Sequence, residues 1–190
     1  MGFQLPPVEA FEKLWQEAHQ LWERHRLTPP FEGYVSGDYA KLYHILAKLQ
    51  GRVWTFLEWG SGLGVLTIMA SRMGFEAYGI ETEPVLIDHA NNLAERHGSD
   101  AHFGEGSFIP EQFDISFSEE YAINRTVIDM PSAYEAIDME LSDFDLVYGF
   151  PWPDEHDFFR AIMKQCARPD ALFLSYDARD EISLCRVSAL

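Results

Sequence analysis

The stretch TFLEWGSGLGVLTIMASRMGFEAYGIETEP, residues 55–84, sets Gly60, Gly62 and Gly64 at alternate positions behind an acidic residue and closes on a second acidic cluster. Glycines that follow a strand and open a helix permit a tight turn and let backbone amides approach a ligand at the helix N-terminus. Alone, that is a weak signal. A dinucleotide fingerprint, G-x-G-x-x-G/A, wants Gly or Ala at position 65, where Val65 stands, and an apolar residue where Glu58 closes the strand. The spacing found is E-x-G-x-G-x-G.

Outward from the glycines, short apolar runs alternate with helical patterns. Strands are expected over 53–58, 75–80, 101–105, 144–149 and 171–176, with helices over 63–73, 84–97 and 154–167. That order is the signature of βαβ units and a parallel sheet. Pro84 at a helix start and Gly98 just past its end obey the usual asymmetry of helix termini. Upstream, residues 8–26 place Phe11, Leu14, Trp15, Ala18, Leu21 and Trp22 on one stripe, and the tryptophans read as packing surface. After the turn-like TPPFEGYVSGD, a second helix over 38–49 has Ser36 or Asp38 as its candidate cap. The interval 106–143 is long for one crossover and is expected to hold a helix near 132–139 plus a loop that covers a site. After the fifth strand only 14 residues remain. DARD, residues 177–180, is a turn-length link, and 181–187 alternates as a strand does, so the last strand must be antiparallel, because a parallel return needs about a dozen residues. The predicted sheet has six strands, the last of them at its edge. The N-terminal tryptophan helix or a second subunit is expected to cover the apolar surface beyond strand five.

At 190 residues and 47% hydrophobic, the chain can build one domain, with 1–50 as a helical cap and 51–190 as the core. No run approaches the roughly 18 apolar residues of a membrane span, and the first residues lack a signal-peptide pattern, so a cytoplasmic protein without a membrane partner is expected. Cys166 and Cys185 lack CxxC spacing and support neither a metal site nor a disulfide framework. A formal net charge of −17 works against nucleic acid, whose phosphates demand a basic surface.

Three carboxylates fall at consecutive strand ends. Glu58 is awkward beside a pyrophosphate but useful beside a cation, and S-adenosylmethionine carries an ammonium and a sulfonium without any phosphate. Glu58 can also simply cap or orient the loop. Glu81, about 20 residues after the first glycine, is placed to accept hydrogen bonds from a vicinal ribose diol, with Thr82 beside it. Glu105 ends the next strand in AHFGEGSF, where it can reach an adenine amino group while Gly106 and Phe108 border the base.

Residues 53–108 resemble the cofactor-binding half of the class I S-adenosylmethionine-dependent methyltransferases. FLEWGSGLG is similar to their first motif, YGIETEP to the acidic second, FGEGSF to the third, and DFDLVYGFPWP to the fourth, which faces substrate. The resemblance implies a Rossmann-like three-layer α/β/α sandwich, with the six strands in the order 3-2-1-4-5-6 once its plan is shortened by the turn-length last link, S-adenosylmethionine as cofactor, and cofactor contacts from Glu58, Gly60, Ser61, Gly62, Gly64, Glu81, Thr82, Glu105, Gly106 and Phe108. The family more often has Asp where Glu105 stands. Chemistry is then expected after the fourth strand, in YGFPWPDEHDFF, residues 148–159. There Tyr148, Phe150 and Trp152 face the substrate, with Trp152 bordering the sulfonium by cation–π attraction. Asp154, Glu155 and His156 are the candidate bases, with His156 preferred for its pKa range. The stretch Phe150-Pro151-Trp152-Pro153 departs from the Asn/Asp-Pro-Pro-aromatic motif of many amino-group methyltransferases, which speaks against a nucleobase amine. EGYVSGDYAKLYHIL faintly resembles small protein-lysine methyltransferases. The acceptor reads as a small molecule or a protein, and a homodimer is compatible with the uncovered edge. Two other readings are a noncatalytic cofactor-binding or assembly protein and an NAD-linked oxidoreductase, the latter disfavoured by Val65 and Glu58.

Overall fold

The strand β1 (Thr55–Trp59) turns Leu57 and Trp59 to one face and Phe56 and Glu58 to the other, and all four are buried. Only a strand covered on both sides has that pattern. In the computed structural model, which describes residues 4–114, 123, 125–176 and 182–190, it lies at the centre of a six-stranded sheet. The other strands are β2 (Glu76–Glu81), β3 (His102–Glu105), β4 (Leu146–Gly149), β5 (Leu172–Tyr176) and β6 (Ile182–Arg186). Their order is β3-β2-β1-β4-β5-β6, with every pairing parallel except β5–β6. The predicted topology, including the antiparallel last strand, is therefore the one found. The link 177–180 and Glu181 lie outside the described residues.

Helices cover both faces. Leu42 and Leu46 of α2 (Tyr39–Leu49) and Leu66 and Met69 of α3 (Val65–Arg72) share one core with Phe56, Leu146 and Leu174. Phe158 and Ile162 of α5 (His156–Cys166) share another with Leu57, Val147 and Phe173. Each such fully buried side chain contributes about 1.5–3 kcal/mol through its removal from water. α4 (Pro84–Arg96) starts on Pro84, whose missing N–H costs nothing in a first turn. Asp38 caps α2, its Oδ1 accepting from the Lys41 amide at 3.1 Å.

One expectation is met only in part and another fails. The N-terminal stripe forms a 3₁₀ turn (Val8–Phe11) and then α1 (Glu12–His25), but α1 lays Leu14 and Ala18 on Leu63, Val65 and Ile68 rather than beyond β5. Glu17 of α1 also pairs with Arg96 and His97 at the end of α4. Leu14 and Ala18 thus serve α3 and α4, Phe11 and Trp15 of the same stripe join the core that includes Leu174 and Tyr176 of β5, and Leu184 of β6 stays 43% exposed. The predicted helix near 132–139 is a ladder followed by one turn. Ser107 donates its amide to Pro131 O at 2.8 Å and accepts from the Ala133 amide at 2.9 Å, which holds the chain extended there. Asp138 then takes φ +53°, a left-handed conformation that ends the turn.

Candidate functional site

The ends of β1, β2 and β4 open on one side of the sheet, where a parallel α/β sheet places its ligands. A cavity of about 650 Å³ lies there. Its floor is the glycine loop. Gly60, Gly62 and Gly64 all have positive φ (+68°, +53° and +68°), which L-residues with a side chain adopt only under strain. A Cβ at Gly64 would come within 2.5 Å of the Phe103 ring and 2.9 Å of Ala90, so Gly64 is where α3 docks on the sheet. A Cβ at Gly62 would meet the Tyr34 ring at 2.7 Å.

Glu81 is the best-organised carboxylate on the cavity wall. Its Oε2 accepts from the Gly62 amide at 2.8 Å, and its Oε1 accepts from the amides of Thr82 at 2.7 Å and Glu83 at 3.1 Å. The Thr82 hydroxyl adds a longer bond to Oε1 at 3.2 Å. Since each carboxylate oxygen has about two acceptor sites, Oε2 retains room for one more donor from the cavity. Across from it, Trp59 stacks on Phe108 with centroids 4.7 Å apart and planes 16° off parallel, and donates its indole N–H to the Tyr134 hydroxyl at 3.0 Å. Phe159 closes this aromatic floor from α5.

Sequence reasoning missed Trp59, although the two-residue period of β1 carries the signal: a Glu58 turned one way puts its neighbour on the other face. It also missed the wall formed by residues 29–35. Pro29 and Pro30 open a 3₁₀ turn whose Phe31 is buried against α4, and this anchors a strap that brings Tyr34 and Val35 to the cavity. Two adjacent prolines followed by an aromatic in a Gly-flanked loop are the visible trace of it.

Several expected residues lie elsewhere. Glu105 is exposed and not on the cavity wall, whereas Gly106 and Phe108 are on it. Glu58 caps α3 from inside: its Oε2 accepts the Thr67 amide at 3.0 Å and the Thr67 hydroxyl at 2.5 Å. It borders a small side hollow with Ser61 and Tyr148 instead of the main cavity. Burial pushes the Glu58 carboxyl up to about 8, the Thr67 bonds opposing this and the Glu81 charge adding to it. Phe150 and Trp152 do line the cavity, but the Trp152 face is covered by the Arg125 guanidinium, 4.2 Å from the ring centroid. Arg125 is the one basic side chain on the cavity wall among the described residues.

None of the candidate bases lines the cavity. Asp154 is exposed at φ +74°, and His156 is half-buried at the start of α5. Glu155 is fully buried: Oε1 accepts from the amides of Arg125 at 2.7 Å and Thr126 at 3.2 Å, and Oε2 from the Thr126 hydroxyl at 2.7 Å. A carboxylate committed to three donors fastens a loop. It is a poor proton acceptor for a substrate it does not face.

No family model matches the chain. A curated relative, a lysine N-methyltransferase of Xenopus laevis named for ATP synthase, is 28% identical over 125 residues, 64% of this chain and 54% of the relative. The chain thus spans about half the length of the curated relative it matches. Among solved structures, an RNA methyltransferase from Salinibacter ruber in complex with S-adenosyl-L-homocysteine aligns with a TM-score of 0.53 at 19% identity, over 76% of this chain and 78% of that one. A methyltransferase from Geobacter sulfurreducens aligns with the same TM-score of 0.53 at 13% identity, over 94% and 76%. The fold is that of the class I S-adenosylmethionine-dependent methyltransferases. At these identities the structural likeness is one of fold, and the acceptors named for those proteins belong to them.

Proposed function

We propose that the chain is an S-adenosylmethionine-dependent methyltransferase whose acceptor is a protein or a small molecule. The observation that carries the reading is Glu81, a buried carboxylate at the second strand end, tied to the Gly62 amide across the glycine loop and facing a cavity of about 650 Å³. That volume is within the ordinary range for small-molecule sites. The residues fit the cofactor: Glu81 Oε2 is the acceptor for a ribose hydroxyl, Gly106 and Phe108 border the base, and the backbone at Gly60 and Gly62 admits close approach. Ser61 adds a buried hydroxyl without a hydrogen-bond partner among the described residues.

The bound cofactor supplies a methyl group already activated on a sulfonium, which leaves the chain to align the acceptor. With Asp154, Glu155 and His156 off the cavity wall, alignment by Trp152, Phe150 and Arg125 is what the site offers. A protein lysine is the favoured acceptor. The support is the lysine methylation for which the curated relative is named and a net charge of −17, which suits a basic polypeptide and opposes RNA.

Methyl-labelled S-adenosylmethionine, incubated separately with a basic protein mixture, a metabolite extract and transfer RNA, tests this. Label should enter protein or small molecules and stay out of RNA. Label in RNA alone would overturn the acceptor assignment, and no label anywhere despite cofactor binding would favour the noncatalytic reading.

A further inference from the structure

Hydrophobic side chains left in water are not spread evenly over this molecule. Seven large ones are exposed among the described residues. Val35 and Val127 are on the wall of the main cavity, at 48% and 40% exposure. Three more adjoin wall residues along the chain: Leu27 precedes Pro29 by two positions, Val85 precedes Leu86, and Ile128 follows Val127. Trp54 leads into β1 at the opposite end of the sheet, and Leu184 is on the edge strand β6. Single exposed apolar residues need no explanation, but five gathered at the segments that build one cavity mark an interaction surface.

The backbone that carries them is pinned on both sides of the opening. Glu155 holds the amides of Arg125 and Thr126, and the Ser107 hydroxyl donates to Val127 O at 3.2 Å. In the strap, Phe31 is buried against α4 and the Tyr34 hydroxyl shares a 3.0 Å bond with that of Tyr39, which sets Val35 between them. Apolar side chains on a fixed backbone are ready for a partner, since little ordering entropy is lost when one docks. The charge on the same wall is unbalanced. Glu32, Glu81 and Glu83 stand there against a single basic side chain, Arg125, which lies over Trp152. Glu32 and Glu83 are exposed. With a net charge of −17 on the whole chain, this field draws a cation and repels acidic peptides and anionic lipid.

We propose that this apolar, acidic rim is a docking surface for an acceptor polypeptide in which apolar side chains flank the acceptor lysine. The inference rests on the methyltransferase reading and deepens it by naming the sequence context of the acceptor. A metabolite small enough to fit inside the cavity would leave Leu27, Val85 and Ile128 uncovered, whereas a polypeptide crossing the opening covers them and brings its cation to the acidic wall.

The test uses fluorescein-labelled peptides with one central lysine flanked by leucines, by serines or by glutamates, titrated with the full chain saturated with S-adenosylhomocysteine and read by anisotropy. A fourth peptide keeps the leucines and has norleucine in place of the lysine. The leucine-flanked peptide should bind about tenfold more tightly than the serine-flanked one, the glutamate-flanked one should bind weakest, and norleucine should cost about fivefold. Leu27→Ser, Val85→Ser and Ile128→Ser change exposed side chains that are off the cavity wall. Combined in one chain they should erase the leucine advantage, while calorimetry shows unchanged affinity for S-adenosylhomocysteine. Equal affinity for the leucine- and serine-flanked peptides, a leucine advantage that survives the triple variant, or a norleucine peptide that binds as well as its lysine counterpart would overturn the proposal. So would binding to phosphatidylcholine–phosphatidylglycerol vesicles that the triple variant abolishes with peptide affinities unchanged, which would make the rim a lipid surface. A wild-type chain that does not bind S-adenosylhomocysteine would instead overturn the methyltransferase reading beneath it.

Discussion

Glu58 and Glu81 sit at the ends of adjacent strands, yet their environments set them to different tasks. Glu81 is satisfied by three backbone amides and still faces the cavity. Glu58 is enclosed by Thr67 and the hydroxyls of Tyr34, Tyr39 and Tyr148, with the Glu81 charge also acting on it. Its pKa is raised from 4.5 to about 8. Between those values the folded chain holds a proton that the unfolded chain has released, so this group's contribution to stability declines as pH rises through that window and levels off above it. Glu58→Gln, neutral at every pH, removes the effect. Denaturant unfolding of both proteins from pH 4.5 to 9 should show the wild type losing ground against the variant up to about pH 8. A constant difference across the range would mean that Glu58 ionises freely in the fold. That two carboxylates lay at strand ends was legible from spacing alone. Which one faced the cavity was not, because strand alternation and the Thr67 cap decide it, and the cap forms only once α3 is docked.

At the scale of elements, the loop at 125–127 and the loop after β4 behave as one wall. Glu155 fastens the first by three hydrogen bonds, and Arg125 lies over Trp152 of the second. Gln at 155 keeps this geometry, since its oxygen accepts from the two amides and its NH₂ donates to the Thr126 hydroxyl. Glu155→Gln should therefore retain activity, while Glu155→Ala, which strands donors at about 1–3 kcal/mol each, should loosen the loop and lower activity at least tenfold. Hydrogen exchange at the Arg125 and Thr126 amides reads the loosening directly. Inactive Glu155→Gln with unchanged exchange would make Glu155 a catalytic base after all. The sequence offered Glu155 only as a member of an acidic cluster at a helix start. Its partners are about 30 residues away along the chain, and no periodicity connects them. The last strand was readable for the opposite reason, because a short link leaves a single topological choice. The failed helix at 132–139 had helical composition, but pairing of Ser107 with Pro131 and Ala133 overrode local preference.

For the whole molecule, the strands followed from where apolar runs and glycines fell and their order from the family resemblance, while the cavity did not, because strap, glycine loop and loop 125–127 meet only in three dimensions. The charge of −17 acts at this scale too, weakening any polyanionic partner without touching the uncharged surfaces of the cavity floor. No helix among the described residues is long and apolar enough to cross a membrane. The central claim, that this cavity is built for S-adenosylmethionine, is tested most directly by calorimetry of the wild type and Glu81→Gln with S-adenosylhomocysteine and NAD. The account predicts one site for S-adenosylhomocysteine, weakened about tenfold by Glu81→Gln, and no heat from NAD. Saturable binding of NAD with none of S-adenosylhomocysteine, or equal affinity in a folded Glu81→Gln chain, would contradict it.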